Sequence, residues 1–114
     1  MVFGHGSSRA SANQAVRRVA AQAAEEGHWV RYQTAFLEAD PRLAQAVEKL
    51  IAAGADSILI LPYFLTLGIH LERDLPALVH ELQTQYSIPI QVTPPLDGHA
   101  ALSRILVERA EAAQ

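Results

Sequence analysis

The run Asp56-Ser-Ile-Leu-Ile-Leu-Pro62 limits the fold more than any other stretch of the chain. It is apolar without interruption and is bounded by turn-forming residues. A strand with one wet face alternates polar and apolar residues. A continuous run instead suits a strand covered on both faces, as in parallel sheets. Parallel neighbours cannot be joined by a hairpin and need a crossover, usually a helix. The flanking sequence should therefore alternate short apolar runs with helical spacings, and it does.

Val2-Phe3 is a first short apolar piece. Ala12, Ala15, Val16, Val19, Ala20 and Ala23 then follow a helical spacing up to Gly27. Residues 28–36, HWVRYQTAF, are rich in β-branched and aromatic side chains and predict a strand beginning near His28. Asp40-Pro41 is a helix start, because Asp caps free N–H groups and Pro at the first position loses no hydrogen bond. Leu43, Ala46, Val47, Leu50 and Ile51 form the buried stripe of that helix, and Gly54 stops it. After the 56–62 strand, residues 63–70 read as a loop. The next helix is predicted from Asp74, with Pro76 in its first turn and Leu75, Leu78, Val79 and Leu82 inward. SIPIQVT (87–93) is a fourth strand, placed at a sheet edge by Pro89. A last helix runs from about His99, with Leu102, Ile105, Leu106 and Ala110 inward.

The order β-α-β-α-β-α-β-α implies an α/β fold: a four-stranded parallel sheet with right-handed crossovers and helices on both faces. At 114 residues the chain suits one domain, spanning 1–114, and is too short for two. Strand 1 is the difficulty. Only about three residues precede the following loop, against ~5–6 in a typical strand.

Composition removes whole classes of chemistry. There are no cysteines, so disulfides, thiolate metal sites and cysteine nucleophiles are excluded. A bound metal must be held by histidine nitrogen and carboxylate oxygen. The net charge of -3 and the absence of a basic run give no reason to expect a nucleic-acid partner. No apolar run approaches the ~20 residues that cross a bilayer, and no basic-then-apolar segment marks a secretion signal. No membrane partner and a cytoplasmic location are the expectations.

Open parallel sheets bind ligands beyond the carboxyl ends of their strands, near the point where strand order reverses. The loops on that side are Gly4-His-Gly-Ser-Ser-Arg9, Leu37-Glu-Ala-Asp40, Tyr63-Phe-Leu-Thr-Leu-Gly-Ile-His70 and Pro94-Pro-Leu-Asp-Gly-His99. Every unusual cluster of the sequence is on this rim. If the strand order is 2-1-3-4, strands 1 and 3 flank the reversal and bring His5 and His70 to one crevice. Two neutral imidazoles with Glu38 are a ligand set for a borderline divalent metal such as Co²⁺, Ni²⁺, Fe²⁺ or Zn²⁺. Three ligands would leave positions open for water or substrate.

Plainer readings stand beside this one. A loop histidine can be merely solvated, and Glu38 can be a surface carboxylate favoured by a nearby helix N-terminus. His28 and His80 are assigned to structure, and His99 is open between the two. One of Ser7 and Ser8 is expected to cap the following helix. GHGSS itself is no Walker loop, since no Gly-Lys-Ser/Thr follows. It is no dinucleotide fingerprint, since Arg9 stands where the third glycine belongs, and no nucleophile elbow, since its centre is His5. The loop YFLTLGI is strongly apolar for a rim segment. It either covers a flat hydrophobic ligand or a partner, or packs over the sheet edge.

With these motifs on the page, the chain resembles the small sirohydrochlorin cobalto/ferrochelatases, the short class II chelatases. The likeness rests on GHGSS (4–8), AFLEADPRLAQAVEKL (35–50), LPYFLTLGIHLERDLP (61–76) and PPLDGHAAL (94–102), nearly the whole chain. The resemblance implies a three-layer α/β/α domain with a four-stranded parallel sheet, acting as a homodimer that mimics the two-domain long chelatases. It implies insertion of Co²⁺, Fe²⁺ or Ni²⁺ into sirohydrochlorin, for cobalamin, sirohaem or nickel-cofactor synthesis, with no organic cofactor. It implies His5 and His70 as metal ligands and Glu38 as the catalytic carboxylate. Members carry a longer apolar first strand than this chain does.

In the mechanism expected on this basis, His5 and His70 present the metal to one face of the ring. Histidine suits the task because its reference pKa of about 6.5 lets it hold a metal or accept a proton near neutrality. Glu38 orients a histidine or takes a pyrrole proton. Phe64, Leu65 and Thr66 wall the tetrapyrrole, Ser7 contacts it, and Arg9, with Arg73 as a weaker candidate, pairs with its carboxylates. The alternatives are a metal or tetrapyrrole carrier using the same site without turnover, and a hydrolase using Ser7.

Overall fold

All strand pairings of the protein are parallel. The computed structural model describes residues 1–114 and alternates strands with helices throughout: β1 (Val2–Gly4), α1 (Ala10–Glu26), β2 (Thr34–Phe36), α2 (Leu43–Ala52), β3 (Ile58–Pro62), α3 (Gly68–Tyr86), β4 (Ile90–Val92) and α4 (Ala100–Ala112). The sheet order is β2-β1-β3-β4, as the sequence predicts. Val2, Phe3 and Gly4 pair with Thr34, Ala35 and Phe36 on one side. Val2 and Phe3 pair with Leu61 and Pro62 on the other. The three-residue β1 is therefore central, and it is hydrogen-bonded along both edges.

The two faces of the sheet are covered unequally. On one face Phe3, Ile58, Ile60 and Ile90 meet Leu43, Val47 and Leu50 of α2 and Leu71, Leu75, Val79 and Leu82 of α3 in one buried cluster. Each such side chain contributes roughly 1.5–3 kcal/mol by leaving water. On the other face lies α1. Its buried small residues Ala20 and Ala24 let it approach the sheet closely. A Cβ on Gly4 would lie 3.6 Å from Val16, and the Arg17 guanidinium stands 5.3 Å from the centre of the Phe36 ring. This face is covered over β1 and β2 only. Leu59 of β3 is 46% exposed, so the apolar run 56–62 is fully covered on one face and not on both.

Several boundaries differ from the sequence reading. The strand predicted over 28–36 is restricted to Thr34–Phe36, because β1 offers only three partners. His28 has φ +55° and belongs to the turn after α1. The α1 stripe is rotated: Asn13, Ala20 and Ala24 are buried, while Ala12, Ala15 and Val19 are exposed. Helix α2 begins at Leu43 and not at Asp40-Pro41, whose peptide bond is cis. The Arg42 N–H donates to Gln45 Oε1 (2.8 Å), which satisfies the N-terminal turn. Helix α3 begins at Gly68, six residues before the predicted Asp74, and Pro76 lies inside it on the exposed side. Strand β4 is at the edge as predicted, but is confined to Ile90–Val92. The predicted inward face of α4 does not exist: no α4 residue is buried, and Ile105 and Leu106 are 46% and 70% exposed.

Candidate active site

The rim beyond β1, β2 and β3 is shaped by backbone pairing that continues past the strand ends. The Leu37 N–H donates to the Gly4 carbonyl (2.9 Å) and the Glu38 N–H to the His5 carbonyl (2.8 Å). The Tyr63 N–H donates to the Phe3 carbonyl (2.7 Å). Farther out, the Leu96 and Asp97 N–H groups donate to the carbonyls of Phe64 and Leu65, both at 2.9 Å. All four loops are thus tied together.

Within the first loop, Gly6 has φ +84°, and a Cβ there would lie 2.8 Å from the Phe36 Cβ and 3.0 Å from the Ala39 Cβ. Glycine is required both by the torsion and by the close approach. Gly6→Ala is expected to lower stability by about 1–3 kcal/mol, read as a lower urea midpoint.

Asn13 holds the same loop from α1. Its Oδ1 accepts from the Ser7 N–H (2.9 Å), and its Nδ2 donates to the Ser7 carbonyl (2.8 Å). At 9% exposure it is the buried polar side chain of the protein. The sequence reading missed it; its signal was a polar residue sharing a helical face with Ala20 and Ala24, seven and eleven positions on. Asn13→Ala strands both Ser7 groups and is expected to lower stability by about 1–3 kcal/mol, measured by thermal unfolding. Ser7 Oγ accepts from the Arg9 N–H (3.0 Å), but neither Ser7 nor Ser8 caps α1 as expected: the N-cap residue is Arg9, and no side chain caps the first turn.

His5 follows β1 directly and is exposed. Its Nδ1 lies 3.0 Å from the Gly6 carbonyl. A carbonyl only accepts, so Nδ1 carries the proton, and in the neutral ring the Nε2 lone pair is left free. The Phe64 ring meets His5 edge-on (centroids 6.5 Å apart) and packs on Phe3 (5.6 Å). Phe64 thereby links the core to the imidazole. Leu65 and Ile69 are 65% and 82% exposed beside it, so the apolar loop is partly packed and partly a bare wall. Thr66 is exposed on the same loop.

His70 lies in the first turn of α3 and is exposed, in a helix where the sequence predicts a loop. Glu38 is exposed, and it is its backbone N–H that bonds to His5. No three His, Asp or Glu side chains form a group that could hold a metal ion. The ligand set His5, His70 and Glu38 is thus not assembled as a closed coordination sphere. Arg9 is exposed, and Arg73 Nε lies 3.0 Å from Asp74 Oδ1. Arg42, which the sequence reading did not place on the rim, donates from Nη1 to the Leu37 carbonyl (2.7 Å). His99 caps α4, its Nδ1 accepting from the Ala101 N–H (3.0 Å).

Residues 1–113 match the family model described as CbiX. This chain belongs to the CbiX family. It is similar to the sirohydrochlorin cobaltochelatase of Methanopyrus kandleri, 32% identical over 80 residues that cover 69% of this chain and 56% of the relative. The sirohydrochlorin cobaltochelatase of Priestia megaterium is 30% identical over 113 residues, covering 97% of this chain and 37% of the relative. This CbiX-family chain spans about half the length of the curated relatives it matches. Among solved structures, the cobalamin biosynthesis CbiX protein of Marinobacter aquaeolei shares the fold (TM-score 0.85, 23% identity, 98% of this chain and 90% of that one). The sirohydrochlorin chelatase SirB of Bacillus subtilis, solved in complex with cobalt, superimposes with a TM-score of 0.70 at 26% identity, over 82% of this chain and 41% of that one.

Proposed function

We propose that this chain inserts a divalent metal, Co²⁺ or alternatively Fe²⁺ or Ni²⁺, into sirohydrochlorin, working in the cytoplasm as a homodimer. The observation that carries this reading is the position of His5 and His70 beyond β1 and β3, the adjacent strands at which the sheet order reverses. Family membership and the relatives' names supply the substrate.

In the reaction, one M²⁺ enters the ring and two pyrrole protons leave. His5 offers its free Nε2 to the incoming ion, and His70 offers a second imidazole from α3. Two exposed imidazoles hold a borderline divalent ion while leaving coordination positions open, which a metal in transit needs. Glu38 accepts a departing proton, or orients a histidine. Phe64, Leu65 and Thr66 lie along the ring, Leu65 with its apolar surface bare to receive it. Ser7 contacts the macrocycle, and Arg9 pairs with the carboxylates at its periphery.

The test is to mix the protein with sirohydrochlorin and Co²⁺ and to follow the ring's absorbance. Many turnovers per protein above the spontaneous rate are expected. No acceleration, or one equivalent bound without turnover as for a carrier, would overturn the proposal. Running Co²⁺, Fe²⁺ and Ni²⁺ in competition identifies the preferred metal.

A further inference from the structure

One peptide group joins the buried amide of Asn13 to the exposed ring of His5. The Gly6–Ser7 peptide carries the Gly6 carbonyl and the Ser7 N–H. The carbonyl lies 3.0 Å from His5 Nδ1, and the N–H donates to Asn13 Oδ1 at 2.9 Å. The peptide is trans, so its C=O and N–H share a plane and point in opposite directions. Neither can turn without the other. The grip of α1 on the N–H therefore aims the carbonyl at the imidazole.

The grip is a double one. Asn13 Nδ2 also donates to the Ser7 carbonyl (2.8 Å), so two successive peptides are held by one side chain. The amide orientation is fixed by chemistry: an N–H can bond only to Oδ1, and a carbonyl only to Nδ2. The loop needs such a hold, because Gly6 at φ +84° has no side chain to limit the peptide that follows it.

The tautomer of His5 depends on that carbonyl. In a neutral imidazole one nitrogen carries the proton and the other a lone pair, and the hydrogen bond made by one nitrogen decides which is which. His5 is exposed, and the Gly6 carbonyl is the partner its side chain has. A carbonyl fixed beside Nδ1 selects the Nδ1–H form. The bond from the Ser7 N–H to Asn13 polarises the same peptide and makes its carbonyl the better acceptor.

We infer that Asn13 is a positioning residue: through the Gly6–Ser7 peptide it holds His5 in the Nδ1–H form, with the Nε2 lone pair presented to the rim. The inference rests on the proposed role of His5 as a metal ligand, and it names what prepares that ligand from the far side of the loop.

The test reads the tautomer by nitrogen NMR of ¹⁵N-labelled histidines in alkaline buffer, where the rings are neutral, with neither metal nor tetrapyrrole present. The chain has five histidines, and the His5 signal is the one lost in His5→Gln. The native protein is expected to show the Nδ1–H form. Asn13→Leu, similar in size and without polar atoms, should shift His5 toward Nε2–H. It should also weaken Co²⁺ binding, measured without the ring, by about 10–100-fold, the range for a residue that orients a ligand. Asn13→Asp keeps the acceptor for the Ser7 N–H and loses the donor to the Ser7 carbonyl. It should lose stability yet keep the Nδ1–H form. A merely structural role would make the two variants alike, since both lose the Nδ2 bond. Native His5 in the Nε2–H form, an unchanged tautomer in Asn13→Leu, or the same shift in both variants would overturn the inference. The native spectrum and Asn13→Asp decide it even where Asn13→Leu does not fold. A shifted tautomer with native Co²⁺ affinity would support the inference and count against His5 as the ligand, so the two readings fail separately.

Discussion

Replacing His5 by alanine is expected to slow cobalt insertion into sirohydrochlorin by about 10²–10⁴-fold, the range for a positioned group that handles a proton in the reaction. The unfolding midpoint should stay where it is. His5 is exposed and its side chain makes one hydrogen bond, to the Gly6 carbonyl. His70→Ala should give a comparable loss of rate with no loss of stability, because alanine is the better helix former and His70 is an exposed first-turn residue of α3. A smaller loss, about 10–100-fold, is expected for Glu38→Gln if the carboxylate orients a ligand. Insertion rates are read from the absorbance of the metallated ring, and stability from thermal unfolding of the same preparations. Near-native rates in both histidine variants would end the mechanism, whatever the fate of the dimer.

Phe3→Ala should be the most destabilising single change, lowering stability by about 3–5 kcal/mol. Small domains possess about 5–15 kcal/mol in total. Phe3 is 1% exposed, lies in the middle of the three-residue β1, and is paired with Ala35 on one side and Pro62 on the other. Its ring also supports Phe64, which in turn meets His5. Truncation opens a cavity under the sheet centre and removes the support of the apolar wall together. A urea titration should show a large fall in the midpoint with an unchanged slope. A fall below about 1 kcal/mol would mean that the core closes over the gap.

The architecture was legible because periodicity reports which side chains are hidden. The apolar run 56–62 and the stripe Leu43, Ala46, Val47, Leu50 sufficed for β3 and α2, and the alternation of elements implied the sheet order. What was not legible depended on partners distant in sequence. Residues 28–33 have the composition of a strand, but β1 has no residues left to pair with them. Asp40-Pro41 has the chemistry of a helix start, but the Pro41 carbonyl accepts from the Phe36 N–H (2.9 Å), which keeps this segment at the strand end. Gly68 and His70 resemble loop residues, yet they open α3. The inward face expected on α4 is not there, since no α4 residue is buried. At the site, the sequence reading expects His5, Glu38 and His70 on one rim; the structure ties the His5 and Glu38 loops together through the backbone and shows no group of three metal ligands. The sequence did not reveal Asn13, whose importance lies in two bonds to the backbone of Ser7.

The hydrogen bonds that run past the strand ends, from Leu37 to Gly4, Glu38 to His5, Tyr63 to Phe3 and Leu96 to Phe64, also bear on the entropy of binding. A loop that must be ordered by its ligand gives up backbone freedom at about 1–2 kcal/mol per residue, and affinity falls by that amount. Here the freedom was surrendered during folding. On the proposed function, a macrocycle arriving at this rim would need to still side chains only.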